Sequence, residues 1–352
     1  MVKNEPLTPK ELKGVFPALV TIMDYSGKVD LERQEMLIED LISAGIDGIV
    51  VMGTTGQAAT FDYDEHISQV VKTFYIVNKR VPIIVGAGSN DTNKAIELAQ
   101  KIEREIGPTT FLMATGYYLK PPLEAAISHY LKIANSIEGN IVLYNVPGRT
   151  VLNLEDEPVI YLANIRPDKF IGMKQADPSG DEFTKRIIDN IDTEKFAVVS
   201  GEDNKVYEIM KIGGTGVISA TANVCPKLFK KITDAMDVQK YEEARKYQEE
   251  VMPFVEYAFS KPGNNPINIA YLFWSGVRGC NDCLENMLIT ARAISMTLKS
   301  EKFKERANKI KNLMERGDKL VSEYLPEYIG IDLNKYRERA KRPREFNQIL
   351  YF

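Results

Sequence analysis

The sequence predicts a (β/α)8 barrel followed by a C-terminal helical region. Eight short apolar runs recur between residues 14 and 221, and each is followed by a segment with helical periodicity. The runs are continuously apolar instead of alternating, as expected for parallel strands that are covered on both faces. Eight strands separated by helices favour a closed barrel over an open doubly wound sheet.

The individual elements follow from composition and spacing. The predicted strands lie at 14–23, 48–53, 81–88, 109–116, 140–147, 170–177, 196–203 and 214–221. Helices are predicted between them where apolar residues recur three and four positions apart, as Leu37 and Leu41 do within Asp30–Ala44. The interval between the last two strands is short but has room for one helix.

The chain beyond about residue 222 is predicted to be helical. Its helices are expected at 238–259, 266–276 and about 283–316. We therefore predict a (β/α)8 barrel over 1–225, a helical region packed on it over 226–316 and a polar extension over 317–352. The extension contains the basic run KYRERAKRPR (335–344), which is typical of a solvated face; an anionic partner is the alternative.

The composition excludes several classes of protein. The 352 residues include 45 Lys and Arg against 49 Asp and Glu, a net charge of −4, so a nucleic-acid partner is not expected. A membrane span is not expected either, because no run of about 18 apolar residues occurs. The first residues contain no apolar signal core, and a cytoplasmic location is expected.

The cysteines predict neither a disulfide framework nor a metal centre. Cys280 and Cys283 form the one C-x-x-C pair, and the histidines are His66 and His129. A tetrahedral zinc site would need further ligands. We expect no metal and regard the pair as incidental thiols; a structural zinc or a redox role is the alternative.

Strand two ends in a turn that suits a small anion. In a (β/α)8 barrel the active site lies at the C-terminal ends of the strands. Here Gly53, Thr54, Thr55 and Gly56 combine exposed backbone N–H groups with two hydroxyl groups. Threonines that only cap the following helix are the alternative.

Strand five brings a tyrosine and an arginine to the same end of the barrel. Tyr144 shares the inward parity of Val142, so its hydroxyl is placed to move protons at the mouth. Arg149 follows a Pro-Gly turn, and its guanidinium suits a carboxylate. A core tyrosine and a surface ion pair are the alternatives.

Strand six contains Lys174 within an otherwise apolar run. Lysine is depleted in strands and seldom buried. Because burial of an ammonium costs free energy, it favours the neutral amine that a Schiff-base nucleophile requires. The alternative is a lysine just beyond the strand with its ammonium in water.

The glycines at strand eight, Gly213, Gly214 and Gly216, allow a ligand such as a phosphate to approach the backbone. No lysine follows them at P-loop spacing, so a nucleotide site is not supported. Tight strand packing is the alternative.

Six segments taken together resemble a known family of enzymes. They are GTTGQAAT (53–60), TGYYLKP (115–121), YNVPGRT (144–150), GMKQAD (172–177), SGEDN (200–204) and GVISATANV (216–224). In this order and spacing they resemble the N-acetylneuraminate lyase and dihydrodipicolinate synthase family of pyruvate-dependent class I aldolases, over about residues 14–300. The resemblance is closest to the synthase branch, and it implies a (β/α)8 barrel without a metal or organic cofactor.

The resemblance also implies catalytic roles. Lys174 would form an imine with pyruvate, and Tyr144 would relay protons. Thr54 would link Tyr144 to Tyr118, which in this family enters from a neighbouring subunit. The expected assembly is therefore a homo-oligomer, a dimer of dimers.

Substrate-binding roles follow from the same resemblance. Thr54 and Thr55 would hold the carboxylate of pyruvate, with Gly53 in the same turn and the Ile218 carbonyl nearby. Arg149 would bind the carboxylate of L-aspartate 4-semialdehyde. The implied product is 4-hydroxy-tetrahydrodipicolinate, an intermediate of lysine and diaminopimelate biosynthesis.

The sequence departs from the family pattern at several positions. Gln57 and Ala58 stand where Glu-Ser is usual, Gln175 where Glu is usual and Leu119 where Asn is usual. These changes concern substrate choice more than imine formation. The chain beyond about residue 300 also lies outside the usual pattern.

A further departure concerns regulation. Lysine-inhibited members of the family use an acidic residue where this chain has Lys94. His66, Asn90 and Tyr117 also match the effector site, but we interpret them as remnants or interface packing. A cation would repel the ammonium of the effector, so insensitivity to L-lysine is expected.

Two other functions remain as alternatives. One is an aldolase or dehydratase for a 2-keto-3-deoxy sugar acid or an N-acetylneuraminate-type substrate, which Arg149 disfavours. The other is a catalytically silent barrel used for binding. Retention of Lys174, Tyr144, Thr54 and Tyr118 argues against it, because a silent site does not need four reactive groups.

Overall fold

The computed structural model describes residues 4–24, 27–260, 264–273 and 331–339, and the single positions 312, 315, 316 and 319. Within these residues, eight parallel strands form one sheet in the order β1-β8-β7-β6-β5-β4-β3-β2. The strands are β1 (Gly14–Pro17), β2 (Ile49–Val51), β3 (Ile83–Gly86), β4 (Thr110–Ala114), β5 (Asn140–Asn145), β6 (Phe170–Gln175), β7 (Ala197–Ser200) and β8 (Gly216–Ser219). Each of them lies inside one of the eight predicted runs.

The sheet is closed into a barrel between its first two strands. A parallel bridge joins Ala18 to Val50, and the backbone N–H of Leu19 donates to the Val50 carbonyl at 2.8 Å. On the other side of β1, Phe16 is in register with Ile218 of β8. The predicted (β/α)8 barrel is therefore confirmed.

Helices cover the outside of the barrel. The described residues contain α1 (Leu31–Ser43), α2 (Tyr63–Val77), α3 (Thr92–Ile106), α4 (Leu123–Ala134), α5 (Pro147–Thr150), α6 (Asp156–Ile165), α7 (Asp181–Asn190), α8 (Val206–Lys211), α9 (Pro226–Asp237), α10 (Tyr241–Phe259), α11 (Ile267–Leu272) and α12 (Leu333–Arg339). Aspartates begin three of them: the side chains of Asp30, Asp62 and Asp91 accept backbone N–H groups of the first turn. The predicted helix at 238–259 begins at Tyr241, because Gln239, with φ of 58°, separates α9 from α10.

Strand residues alternate between two apolar layers. Val142 and Tyr144 belong to a cluster inside the barrel, to which all eight strands or their ends contribute. Ile141 and Leu143 belong to the larger cluster between the sheet and the helices. The inward parity predicted for Tyr144 is thus correct. Its position near the end of β5 places its ring at the carboxyl end of the barrel.

The last described helix, α12, packs on the first barrel helix, α1. Tyr336 is fully buried, and its hydroxyl donates to Asp40 Oδ2 at 2.7 Å. Its ring meets that of Phe273 edge-on at 5.1 Å, while the buried Arg33 guanidinium donates to the Phe273 carbonyl at 3.2 Å. Residues beyond the usual family pattern therefore anchor to the barrel.

Part of the basic run at 335–344 is paired with acidic residues. Lys335 donates to Asp40 at 2.6 Å, and Arg339 to Glu32 at the same distance. This part of the run contacts α1, but the Arg339 side chain is still 54% exposed, so the solvated face stays a prediction. The domain boundaries at 225 and 316 stay predictions, and most of the predicted helix at 283–316, like Cys280 and Cys283, lies outside the described residues.

None of the helices in the described ranges is both long enough and apolar enough to cross a membrane.

Candidate active site

Lys174 is buried within β6 and faces Tyr144. Only 6% of the residue is exposed, and it is in register with Tyr144 of β5 and Val199 of β7. Its Nζ lies 4.6 Å from the centroid of the Tyr144 ring. Lys174 is thus not a lysine beyond the strand end with its ammonium in water, which was the alternative.

Gly201, directly after β7, leaves the space that the Lys174 side chain occupies. A Cβ at position 201 would lie 2.9 Å from Cε of Lys174 and 2.7 Å from Cβ of Ala176. Both distances are shorter than ordinary van der Waals contacts, so a larger residue would displace the lysine. The sequence had marked the segment SGEDN without giving this glycine a role, because the contact joins two different strands.

Two acidic residues follow Gly201 and lie near the lysine. Burial raises the pKa of Asp203, and burial together with the Asp203 charge raises the pKa of Glu202. The positive charge of Lys174 counteracts this rise by lowering the pKa of both carboxyl groups. Oδ2 of Asp203 accepts the backbone N–H of Thr221 at 2.8 Å, which fixes this carboxyl beside β8.

A cavity of about 620 Å³ opens at this end of the barrel. Four predicted site residues line it: Gly53, Thr54, Tyr144 and Arg149. Lys174 is not among its lining residues and adjoins it through the Tyr144 ring. The volume is in the usual range for a pocket that holds small molecules.

Two predicted binding residues, Thr55 and Ile218, are not among the lining residues of this cavity. Thr55 is 2% exposed, and its Oγ1 accepts a hydrogen bond from Nδ2 of Asn265 at 3.2 Å. The Arg149 guanidinium donates to the backbone carbonyl of Asn265 at 3.0 Å. Ile218 is fully buried in β8 and belongs to the interior cluster.

Tyr118 lies apart from the other predicted catalytic residues of its own chain. It is 87% exposed in the loop between β4 and α4, with φ of 73°, and its neighbour Leu119 is 64% exposed. Tyr117, not Tyr118, lines the cavity. The entry of Tyr118 into the site of a neighbouring subunit stays a prediction.

Gln175, one of the departures from the family pattern, is built into a buried amide network. Its Oε1 accepts from Nδ2 of Asn145 at 3.0 Å and from the backbone N–H of Asp177 at 3.1 Å. Its Nε2 donates to Oγ1 of Thr184 at 3.0 Å. A glutamate could not make this last bond in its ionised form, so the amide suits its surroundings.

The residues that match the effector site of the lysine-inhibited relatives line the same cavity. His66, Asn90, Lys94 and Tyr117 lie along its wall, together with Tyr63 of α2. His66 is buried, and its Nε2–H donates to the Gly86 carbonyl at 2.9 Å. Burial lowers the pKa of His66 to about 4.

A buried lysine packed against a tyrosine at the carboxyl end of a (β/α)8 barrel is the arrangement of a class I lyase, which binds its substrate as a Schiff base. A sequence model of the dihydrodipicolinate synthetase family matches residues 11–299. The chain belongs to this family and is a pyruvate-dependent lyase of that class.

Individual relatives agree with this assignment. The 4-hydroxy-tetrahydrodipicolinate synthase of Methanococcus vannielii is 37% identical over 260 residues, which cover 74% of this chain and 87% of that protein. That of Geobacter metallireducens is 39% identical over 259 residues, covering 73% and 87%. The crystal structure of the dihydrodipicolinate synthase from Acinetobacter baumannii complexed with pyruvate is similar with a TM-score of 0.70 and 30% identity, over 87% of this chain and 99% of that one.

Proposed function

We propose that this protein condenses pyruvate with L-aspartate 4-semialdehyde to form 4-hydroxy-tetrahydrodipicolinate. The observation that carries the proposal is Lys174, buried in β6 with its Nζ against the Tyr144 ring. The named relatives favour this reaction over the aldolases and dehydratases of sugar acids. Its product would serve the biosynthesis of lysine and diaminopimelate.

The chemistry starts at the Lys174 amine. Its Nζ would attack the keto carbon of pyruvate, and loss of water would leave a protonated imine. The iminium draws electrons from the methyl group, so a modest base can remove one of its protons and produce an enamine. The enamine carbon would then attack the aldehyde carbon of the second substrate, and the aldehyde oxygen would take up a proton. Attack of the substrate's own amino group on the imine carbon would close the ring and release the Lys174 amine.

The Tyr144 hydroxyl would carry these protons. A phenol that both accepts and donates hydrogen bonds can take the proton from one intermediate and return it to the next. Thr54, which lines the same cavity, would continue the chain of hydroxyl groups towards a Tyr118 supplied by a second subunit. Such a relay needs no histidine.

The two substrate carboxylates would bind at separate positions. The turn of Gly53, Thr54 and Thr55 offers N–H and O–H donors to the carboxylate of pyruvate, with the Ile218 carbonyl nearby. Arg149, which also lines the cavity, would bind the carboxylate of the aldehyde.

Borohydride reduction in the presence of pyruvate tests the central step. We expect mass spectrometry to find a reduced pyruvate adduct on Lys174 in the wild type and none in Lys174→Ala. Lys169→Ala is the matched control, since Lys169 precedes β6 and its Nζ donates to backbone carbonyls at the opposite end of the strand. Absence of an adduct in the wild type would contradict the proposal.

A second measurement tests the aldehyde. We expect turnover with L-aspartate 4-semialdehyde and little with sugar-acid aldehydes. Arg149→Ala is expected to raise the KM for the semialdehyde about tenfold or more, because a charge-assisted hydrogen bond is lost, while pyruvate trapping continues. Preference for a sugar-acid aldehyde would favour the alternative function.

The active assembly would be an oligomer in which Tyr118 of one subunit completes the site of its neighbour. Two such dimers would form a dimer of dimers. The high exposure of Tyr118 and Leu119 supports this proposal. Mixing two inactive variants, Lys174→Ala and Tyr118→Phe, tests it, because a hybrid dimer has one site with both residues intact. With random pairing, roughly a quarter of the wild-type activity should return. No recovery after subunit exchange would contradict a shared site.

A further inference from the structure

We propose that Asn265 is a positioning residue that orients the Thr55 hydroxyl towards the carboxylate of pyruvate. The inference rests on the proposed function and adds a residue to it from the segment that precedes α11. Asn265 contacts Thr55 with its side chain and Arg149 with its backbone. Changing the side chain should therefore affect the binding of pyruvate and not that of the aldehyde.

The side-chain contact determines what the Thr55 hydroxyl can do. Asn265 and Thr55 are both buried, and Nδ2 of Asn265 donates to Oγ1 of Thr55 at 3.2 Å. A threonine hydroxyl has one proton to donate and two lone pairs that accept. Because the amide occupies a lone pair, the hydroxyl proton is left for a different acceptor. In the proposed site that acceptor is the pyruvate carboxylate.

The backbone contact serves the other substrate. The Asn265 carbonyl accepts from the Arg149 guanidinium at 3.0 Å and thereby limits where the arginine can reach across the cavity. This contact does not depend on the identity of the side chain at position 265. Substitution of Asn265 can therefore disturb the Thr55 hydroxyl while leaving the carbonyl that holds Arg149.

Asn265→Asp is the sharpest substitution, since it keeps the shape of the side chain. A carboxylate cannot donate to Oγ1; it would accept the Thr55 proton and turn it away from pyruvate. It would also add a negative charge near the bound carboxylate. Asn265→Ala removes the orientation without adding a charge. Both variants keep the backbone carbonyl.

We expect Asn265→Asp to raise the KM for pyruvate about tenfold or more and Asn265→Ala about fivefold, from the loss of a hydrogen bond to a charged group. The KM for the aldehyde should stay within about twofold, because the Arg149 contact remains. Initial rates with each substrate varied in turn, and borohydride trapping at graded pyruvate concentrations, measure this split. Thermal unfolding establishes that each variant is folded.

Two further variants separate positioning from general disturbance. Asn264→Asp is the matched charge control: it places the same charge one residue earlier and keeps the oxygen that accepts the Asn265 N–H. It should leave the KM for pyruvate unchanged. In the Thr55→Val background, which lacks the hydroxyl, Asn265→Ala should add almost nothing to the effect of Thr55→Val.

The outcomes distinguish this inference from the function on which it rests. If the wild type traps pyruvate but the Asn265 variants keep its KM, or raise both KM values equally, Asn265 is not a positioning residue for Thr55. If the effects of Thr55→Val and Asn265→Ala simply add, the inference is also wrong. If the wild type traps no pyruvate, the proposed function fails and takes this inference with it.

Discussion

The Lys174 amine and the Tyr144 ring are neighbours across β5 and β6, with Nζ 4.6 Å from the ring centroid. The pairing is a consequence of strand register, because residues in register on adjacent parallel strands point to the same side of the sheet. Two separate sequence positions are thereby fixed relative to each other by the backbone of the barrel. The reacting amine and the proposed proton relay need no flexible loop to bring them together.

Removal of the Tyr144 hydroxyl should separate imine formation from turnover. We expect Tyr144→Phe to keep the ring against Lys174 and to form the pyruvate imine. Turnover should fall by about 10²–10⁴-fold, the usual range for a lost general acid or base. Borohydride trapping and kcat measure the two steps. Tyr161→Phe is the control and should retain kcat, because Tyr161 is 47% exposed on α6. Full activity in Tyr144→Phe would exclude the relay.

A methyl group at position 201 should displace the reactive lysine. We expect Gly201→Ala to abolish pyruvate trapping and to lower the free energy of unfolding by about 1–3 kcal/mol, because the new Cβ would overlap Lys174 and Ala176. Urea unfolding and trapping check the two effects. Gly148→Ala is a suitable control, since no atom beyond its chain neighbours and its own helix backbone lies within 4 Å of the position that its Cβ would take. Normal trapping by Gly201→Ala would show that the lysine has another route into the site.

His66 should make the fold sensitive to acid. Burial lowers its pKa to about 4 from a usual value of 6.5, so the unfolded chain binds a proton between these values and the folded chain does not. The stability that comes from keeping His66 neutral is fully present above pH 6.5 and is lost as the pH falls towards 4. We expect the free energy of unfolding to fall by about 2 kcal/mol more in the wild type than in His66→Gln between pH 7.5 and 5.

Urea unfolding at the two pH values measures this difference. Gln can donate to the Gly86 carbonyl without titrating, while all other groups are shared by both proteins. Equal pH dependence in the two proteins would mean that His66 is not the responsible group.

Activity should be insensitive to L-lysine. Lys94 lines the cavity beside His66 and Tyr117, and its ammonium would repel that of the effector. We expect initial rates to stay constant as L-lysine is raised through the millimolar range. Lys94→Glu reverses the charge and should introduce inhibition, whereas Lys94→Gln only removes the repulsion and serves as control. Clear inhibition of the wild type would overturn this prediction.

The hydroxyl of Tyr336 should stabilise the whole fold from outside the barrel. Tyr336→Phe removes the bond to Asp40 in a buried position, and we expect the free energy of unfolding to fall by about 1–2 kcal/mol. Thermal or urea unfolding checks the value. Tyr161→Phe is the control, because Tyr161 is 47% exposed on α6 and should change stability little. Unchanged stability in Tyr336→Phe would show that α12 contributes nothing through this contact.

The sequence alone predicted what depends on local pattern. Continuous apolar runs gave all eight strands, since a strand buried on both faces has no polar side. The two-residue period placed Tyr144 on the inside with Val142. Lys174 was recognised as a candidate nucleophile because it is a lysine within an otherwise apolar strand. The turn at Thr54 and Thr55 was recognised locally as suited to a small anion, but its assignment to pyruvate came from resemblance. The roles of Tyr118 and Ile218 came from resemblance alone, because a single hydroxyl group or carbonyl has no local signature of function.

Contacts between distant parts of the chain were not predictable in this way. Gly201 is needed because Lys174, Gln175 and Ala176 at the end of the neighbouring strand lie against it, and no pattern around position 201 reveals those neighbours. Asn265 lies 210 residues from Thr55, and the sequence before α11 indicated only the start of a helix. The contact of Tyr336 with Asp40 likewise depends on where the barrel brings α1, which the composition of the extension does not express.

The contact between α1 and α12 joins residues 296 positions apart. During translation, Asp40 leaves the ribosome early and can form its hydrogen bond with Tyr336 only after that residue has been synthesised. A polypeptide released before that point lacks this hydrogen bond. Premature termination therefore leaves α1 without a buried neighbour even when all eight strands have been made.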